Sequence, residues 1–198
     1  MLEARNHTQL ILASASPRRK YLLEQAGLRF SVIPSTVDES VADTQAPEED
    51  YVRLLAEAKA DDIARGQPEA WVIGADTVVA IDGQVLGKPT GAQEARSMLH
   101  RLSGQRHRVH TGFAIVCGNR SRRISATVTT EVEFKTLSSE EIEWYLKTGE
   151  PFDKAGAYAI QGIGTFLVRR INGSYTNVVG LPVCEVIEAL IAEGVLRY

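Results

Sequence analysis

The sequence predicts an α/β fold, a mixed and twisted sheet with flanking helices, and three observations carry that reading. Segments with strand character alternate with helical segments along most of the chain. Residues 71–81, WVIGADTVVAI, are apolar almost throughout, as in a strand covered on both faces. Several helices also mark their own ends with capping residues, prolines and glycines.

Taken in order, residues 10–12 are a short apolar run and read as a buried strand. Small hydroxyl residues follow, then Pro17 and three consecutive cations, Arg18, Arg19 and Lys20. Ser16 fits an N-cap, Pro17 the first helical position and Gly27 the residue just past the helix end. Residues 30–34 read as a second short strand and residues 35–46 as a polar, acidic loop. Pro47 opens a helix to about Ala64, closed by Gly66. After the strand at 71–81, Asp82-Gly83 is a hairpin turn signal. Residues 91–102 are helical, and residues 107–117 and 122–135 form a long hairpin about Gly118-Asn119. Ser138 with Glu141 makes a capping box ahead of a helix through Lys147. Residues 157–160 and 165–171 read as short strands, with Asn172-Gly173 as a tight turn. Pro182 opens the last helix, whose Val183, Val186, Ile187, Leu190 and Ile191 share one face.

A chain of 198 residues suffices for one sizeable domain, 1–198, or for two small lobes sharing a cleft, and no boundary is assigned within it. With 44% hydrophobic and 24% charged residues, the composition is that of a soluble globular protein. A net charge of −3 argues against bulk nucleic-acid binding, so an anion site needs a local concentration of Arg and Lys. Cys117 and Cys184 sit in apolar segments and read as buried free thiols in a reducing cytoplasm. No signal peptide is expected, and no apolar run approaches the roughly 18 residues that span a bilayer.

Four features look chemical. The helix start at residues 16–20 has Arg18 and Arg19 where the helix dipole favours acids, an arrangement that suits a bound anion as well as a solvated basic turn. Asp76 stands in a strand otherwise apolar on both faces, where a carboxylate costs several kcal/mol unless a backbone, cation or metal partner compensates. Small Gly74 and Ala75 leave room for a ligand beside it. Lys59 falls on the apolar stripe Val52, Leu55, Lys59, Ile63 of its helix, so it either snorkels to the surface or faces a polar cleft. Residues 153–162, DKAGAYAIQG, crowd small residues around Tyr158 and Gln161; a tight strand crossing explains this as well as a base-reading Gln161 does. Lys88 by itself is a loop lysine. Glu39 and Asp76 form a candidate carboxylate pair for Mg²⁺. His107 and His110 lack partners for a zinc site and read as strand-surface residues. No phosphate-binding Gly-rich Lys-Ser/Thr loop and no dinucleotide fingerprint occurs.

These pieces, in this order, resemble the Maf family of nucleoside triphosphate pyrophosphatases. The matching segments are LASASPRR at 12–19, EAKA at 57–60, GADT at 74–77, LGKP at 86–89, LSG at 102–104, KAGAYAIQG at 154–162, NGSY at 172–175 and VGLP at 179–182. The resemblance implies two lobes around a central cleft, similar to the inosine triphosphatase-like enzymes, and a homodimer. It implies hydrolysis of dTTP and UTP to the monophosphate and pyrophosphate with Mg²⁺ or Mn²⁺, clearing non-standard pyrimidine nucleotides. By position it makes Asp76 catalytic, Ser14, Arg18, Arg19, Lys59 and Lys88 substrate-binding, and Arg18, Thr77 and Gln161 the residues of substrate choice. The competing expectations are a 7-methyl-GTP pyrophosphatase, a nucleotide-binding regulator of cell division and an unrelated phosphatase releasing orthophosphate.

Overall fold

The fold, a computed structural model, describes residues 3–4, 8–38 and 46–197. The elements run β1 (Glu3–Ala4), β2 (Leu10–Leu12), α1 (Pro17–Gln25), β3 (Ser31–Val32), α2 (Glu48–Gly66), β4 (Trp71–Ile81), β5 (Gln84–Leu86), α3 (Ala92–Leu102), β6 (Arg106–Cys117), β7 (Arg122–Phe134), α4 (Ser139–Lys147), β8 (Val168–Asn172), α5 (Tyr175–Val179), α6 (Val183–Ala192) and β9 (Leu196–Arg197). Short 3-10 turns occupy Glu150–Asp153, Ala155–Ala157 and Gly162–Leu167. The main sheet is ordered β3-β2-β4-β6-β7-β8 with β5 paired to β4, while β1 and β9 form a separate antiparallel pair. Parallel and antiparallel pairs coexist in the main sheet, so it is mixed, as the sequence predicts.

The chain forms two compact units. The first comprises residues up to Asp76, Thr111–Val128 and Gly180 onward. Its β2 pairs in parallel with β3 (Ile11 with Ser31) and with β4 (Leu10 with Trp71). The core here is rich in small residues, with Ala13, Ala56, Ala60, Ala64 and Ala114 packed against Ile11, Val72 and Val116. Small side chains let helix α2 lie close on the sheet, and two glycines carry this to its limit. A Cβ on Gly74 of β4 would stand 2.2 Å from the Ala56 carbonyl oxygen, and one on Gly112 of β6 would stand 2.3 Å from that of Val52. The acids Glu48, Glu49 and Asp50 in the first turn of α2 and Arg65 in the last suit its dipole.

The second unit comprises Thr77–His110 and Thr129–Val179. Asp82 (φ 51°) and Gly83 (φ 69°) make the expected tight hairpin between β4 and β5. Its core joins Val79, Leu99, Leu102, Phe134, Ile142, Tyr145 and Leu167. The Ser138–Glu141 capping box starts α4 as predicted, with Ser138 Oγ accepting from the Glu141 N–H and the Glu141 side chain accepting from the Ser138 N–H.

Several expectations are corrected. Residues 157–160 are not a strand: Gly156 (φ 68°), Ala157 (φ 58°) and Gly162 (φ 68°) are left-handed, which breaks any ladder. Of residues 165–171 only 168–171 are strand, because the 3-10 turn runs to Leu167. Gly66 ends α2 from within, and β1, α5 and β9 are short elements beyond those predicted. Cys117 is buried as expected, but Cys184 is exposed, because it falls off the apolar stripe of α6. Both His107 and His110 are buried rather than on the strand surface.

Candidate active site

Helix α1 begins as the sequence predicts, with the Ser16 side chain accepting from the Arg19 N–H at 3.5 Å and Pro17 in the first turn. Buried Ser14 sits just upstream, its hydroxyl accepting from the Ser16 N–H at 3.2 Å and from Arg19 Nη1 at 3.1 Å. The same Nη1 donates to the Ala75 carbonyl at 2.8 Å, and Arg19 Nε donates to the Gly180 carbonyl at 2.8 Å. One planar guanidinium thus ties together the start of α1, the backbone of β4 beside Asp76 and the approach to α6. A lysine offers no such fixed fork. Arg19 is therefore a clamp within the first unit as well as a local positive charge. Arg18 precedes it in the same turn and is half-buried.

Lys59 settles the choice its position on α2 left open, for it does not snorkel. Its Nζ donates to Asp76 Oδ1 at 2.6 Å, and only 8% of Lys59 and 7% of Asp76 are exposed. The close approach of α2 at Gly74 makes this pair possible, since Gly74 and Asp76 lie on the same face of β4. The small residue beside Asp76 makes room for the helix backbone, where the sequence reading had placed a ligand. Removing one partner of such a buried pair costs about 3–5 kcal/mol, because the other charge is left uncompensated.

Thr77 follows Asp76 on β4, half-buried, and opens the second unit with Lys88 and Gln161. Lys88 is exposed after β5, and the preceding Gly87 carbonyl accepts from the Gly156 N–H at 3.0 Å. Gln161 is half-buried and extended (φ −102°, ψ 167°) between two 3-10 turns. The first unit therefore brings Ser14, Arg19, Lys59 and Asp76 together, with Arg18 on the same turn, while Thr77, Lys88 and Gln161 belong to the second. Glu39 lies outside the described residues. Among the described residues, no three His, Cys, Asp or Glu side chains group as a metal site would require.

The sequence reading missed the support under Tyr158. His107 Nε2 lies 2.7 Å from the Tyr158 hydroxyl, and the His107, Phe134 and Tyr158 rings meet edge to face. Burial pushes the His107 imidazole down to about 4 and the Tyr158 hydroxyl upward. The alternation Arg106, His107, Arg108, Val109, exposed and buried in turn, is the signal that would have found it.

A family profile described as Maf-like protein matches residues 9–193. A protein of Syntrophus aciditrophicus named dTTP/UTP pyrophosphatase is 51% identical over 190 residues, covering 96% of this chain and 92% of that protein. One of the same name from Geotalea uraniireducens is 50% identical over 197 residues, covering all of both chains. The solved Ham1 protein of Staphylococcus aureus matches at TM-score 0.48 and 13% identity, over 81% of this chain and 80% of that one. On the extent of the family match and the identity to these full-length relatives, the chain belongs to the Maf-like protein family.

Proposed function

We propose that the protein hydrolyses dTTP and UTP to the nucleoside monophosphate and pyrophosphate. The observation that carries this is the buried Lys59–Asp76 pair, set on β4 next to the Ala75 carbonyl that Arg19 grips at the start of α1. The names of relatives about half identical to this chain supply the substrate class. A triphosphate carries about four negative charges, and an acidic protein needs focused cations to hold it. Arg18, Arg19 and Lys59 of the first unit and Lys88 of the second are the cations assigned to it, with Ser14 a hydroxyl donor.

In the reaction, a water oxygen bonds to the α-phosphorus as Asp76 takes the water's proton. The bond from the α-phosphorus to the bridging oxygen breaks, and its electron pair leaves with pyrophosphate. Lys59 holds the carboxylate at its post and neutralises charge beside it. Arg18, Thr77 and Gln161 choose the base.

Among the described residues a divalent cation finds the Asp76 carboxylate and the substrate's own phosphates as its partners, and Glu39 is the second carboxylate assigned to it. With no protein cage among the described residues, one carboxylate oxygen of Asp76 plus phosphate oxygens and waters is the pattern Mg²⁺ accepts. When bound, the cation supplies neutralisation of phosphate charge.

The test is turnover of dTTP, UTP, CTP and 7-methyl-GTP with Mg²⁺, scored for pyrophosphate and orthophosphate. Pyrophosphate from dTTP and UTP ahead of the others is expected. Orthophosphate as first product, preference for 7-methyl-GTP, or tight binding without turnover would each contradict the proposal.

A further inference from the structure

Directly after α4, a carboxylate is tucked beneath the Gln161 segment. Glu150 Oε1 accepts from the Ile163 N–H at 3.1 Å, and its Oε2 accepts from the Gly164 N–H at 2.8 Å. Fully buried Tyr145 on α4 receives the Ala159 N–H on its hydroxyl at 3.2 Å. The backbone is thus anchored on both sides of Gln161, at Ala159 by Tyr145 and at Ile163 and Gly164 by Glu150. The fit leaves no space. A Cβ on Gly162 would stand 2.2 Å from Glu150 Oε1, and one on Gly164 would stand 2.3 Å from the Ala159 carbonyl oxygen and 2.6 Å from the Tyr145 hydroxyl. Lys154 Nζ donates to the Glu150 carbonyl at 2.6 Å and fixes the turn from the other end. Charge-assisted bonds from a carboxylate to backbone N–H groups are among the strong ones.

Base chemistry explains why such rigidity matters. Uracil and thymine present an N–H donor beside a carbonyl acceptor, whereas cytosine presents an acceptor beside an amino donor. A freely turning glutamine amide satisfies either pattern by rotating half a turn, so it discriminates only when its placement is fixed.

We propose that the Glu150 carboxylate and the Tyr145 hydroxyl are positioning residues for base discrimination, acting by fixing the backbone on both sides of Gln161. This rests on the reading of Gln161 as a base-choosing residue. The test is the ratio of kcat/KM for UTP to that for CTP in Glu150→Gln, Tyr145→Phe and Gln161→Ala enzymes. Glu150→Gln is expected to lower the ratio about tenfold through KM for UTP, Tyr145→Phe less, with the Ile163 and Gly164 amides exchanging faster with solvent. A general loss of structure would lower both substrates together and leave the ratio intact. Tyr145→Phe keeps the ring that fills the core and carries the test if Glu150→Gln does not fold. A native ratio in both Glu150→Gln and Tyr145→Phe overturns the proposal, whatever Gln161→Ala does. A native ratio in Gln161→Ala with a lowered one in Glu150→Gln upholds the positioning and removes Gln161 as the reader.

Discussion

Two regions of this molecule fix their candidate functional groups by opposite means. In the first unit, opposite charges are buried against each other: Lys59 on α2 reaches Asp76 on β4 at 2.6 Å, and Arg19 grips the neighbouring carbonyl. In the second unit, the segment around Gln161 is held by its backbone, with Gly156, Ala157 and Gly162 left-handed and amide groups donated to Glu150 and Tyr145. Under the proposed function, the first arrangement serves the substrate phosphate and the attacking water. The second fixes the backbone on both sides of a neutral side chain. Electrostatic work needs few residues at high cost each, whereas positioning spreads over many small contacts.

The largest expected effect breaks the charged region. Lys59→Met strands a buried carboxylate and is expected to destabilise the fold by about 3–5 kcal/mol in urea unfolding, while Lys59→Met with Asp76→Leu recovers most of that loss. A double variant as unstable as the single one would show that the pair is not a closed unit.

The next effect belongs to the second unit and reads out in pH. His107 is held neutral down to about 4, below the ordinary value of 6.5, by burial. Between those values the unfolded chain binds a proton that the native chain refuses, so stability falls as pH drops through this window. The loss is on the order of 3 kcal/mol by pH 4 and is absent above about pH 6.5. His107→Gln is expected to flatten this slope in urea unfolding measured from pH 7 to 4, and an unchanged slope would assign it to other groups.

A pair of glycine substitutions sharpens the contrast. Gly74→Ala forces two backbones apart, at about 1–3 kcal/mol, and draws Lys59 from Asp76, so turnover falls with it. Gly156→Ala costs roughly 1–2 kcal/mol through its φ of 68°, and its nearest neighbour is the Val79 side chain, at 3.0 Å. Its stability loss is expected without a matching fall in kcat. Equal losses of turnover in both variants would erase the distinction.

The same contrast explains how far the sequence could be read. Asp76 in an apolar strand and Lys59 on an apolar stripe stand out as charges in the wrong solvent. That they meet depends on α2 sitting on Gly74, a contact that no periodicity reports. Strands β2, β4, β6 and β7, the hairpin at Asp82-Gly83 and the capped helices α1 and α4 follow local rules and were legible. Residues 157–160 were not, because Ala-Tyr-Ala-Ile has strand composition while the left-handed Gly156 and Ala157 ahead of it redirect the chain. Glu150 gave no warning, since a surface-type acid ahead of a proline looks ordinary until its oxygens are seen to meet backbone amides.

The central claim is that the Asp76 carboxylate, held by Lys59, performs the proton transfer of hydrolysis. It is tested most directly by pyrophosphate release from UTP in Asp76→Asn, with unfolding followed on the same sample. A folded variant slowed about a thousandfold or more is the expected result. A folded variant with the native kcat would contradict the claim.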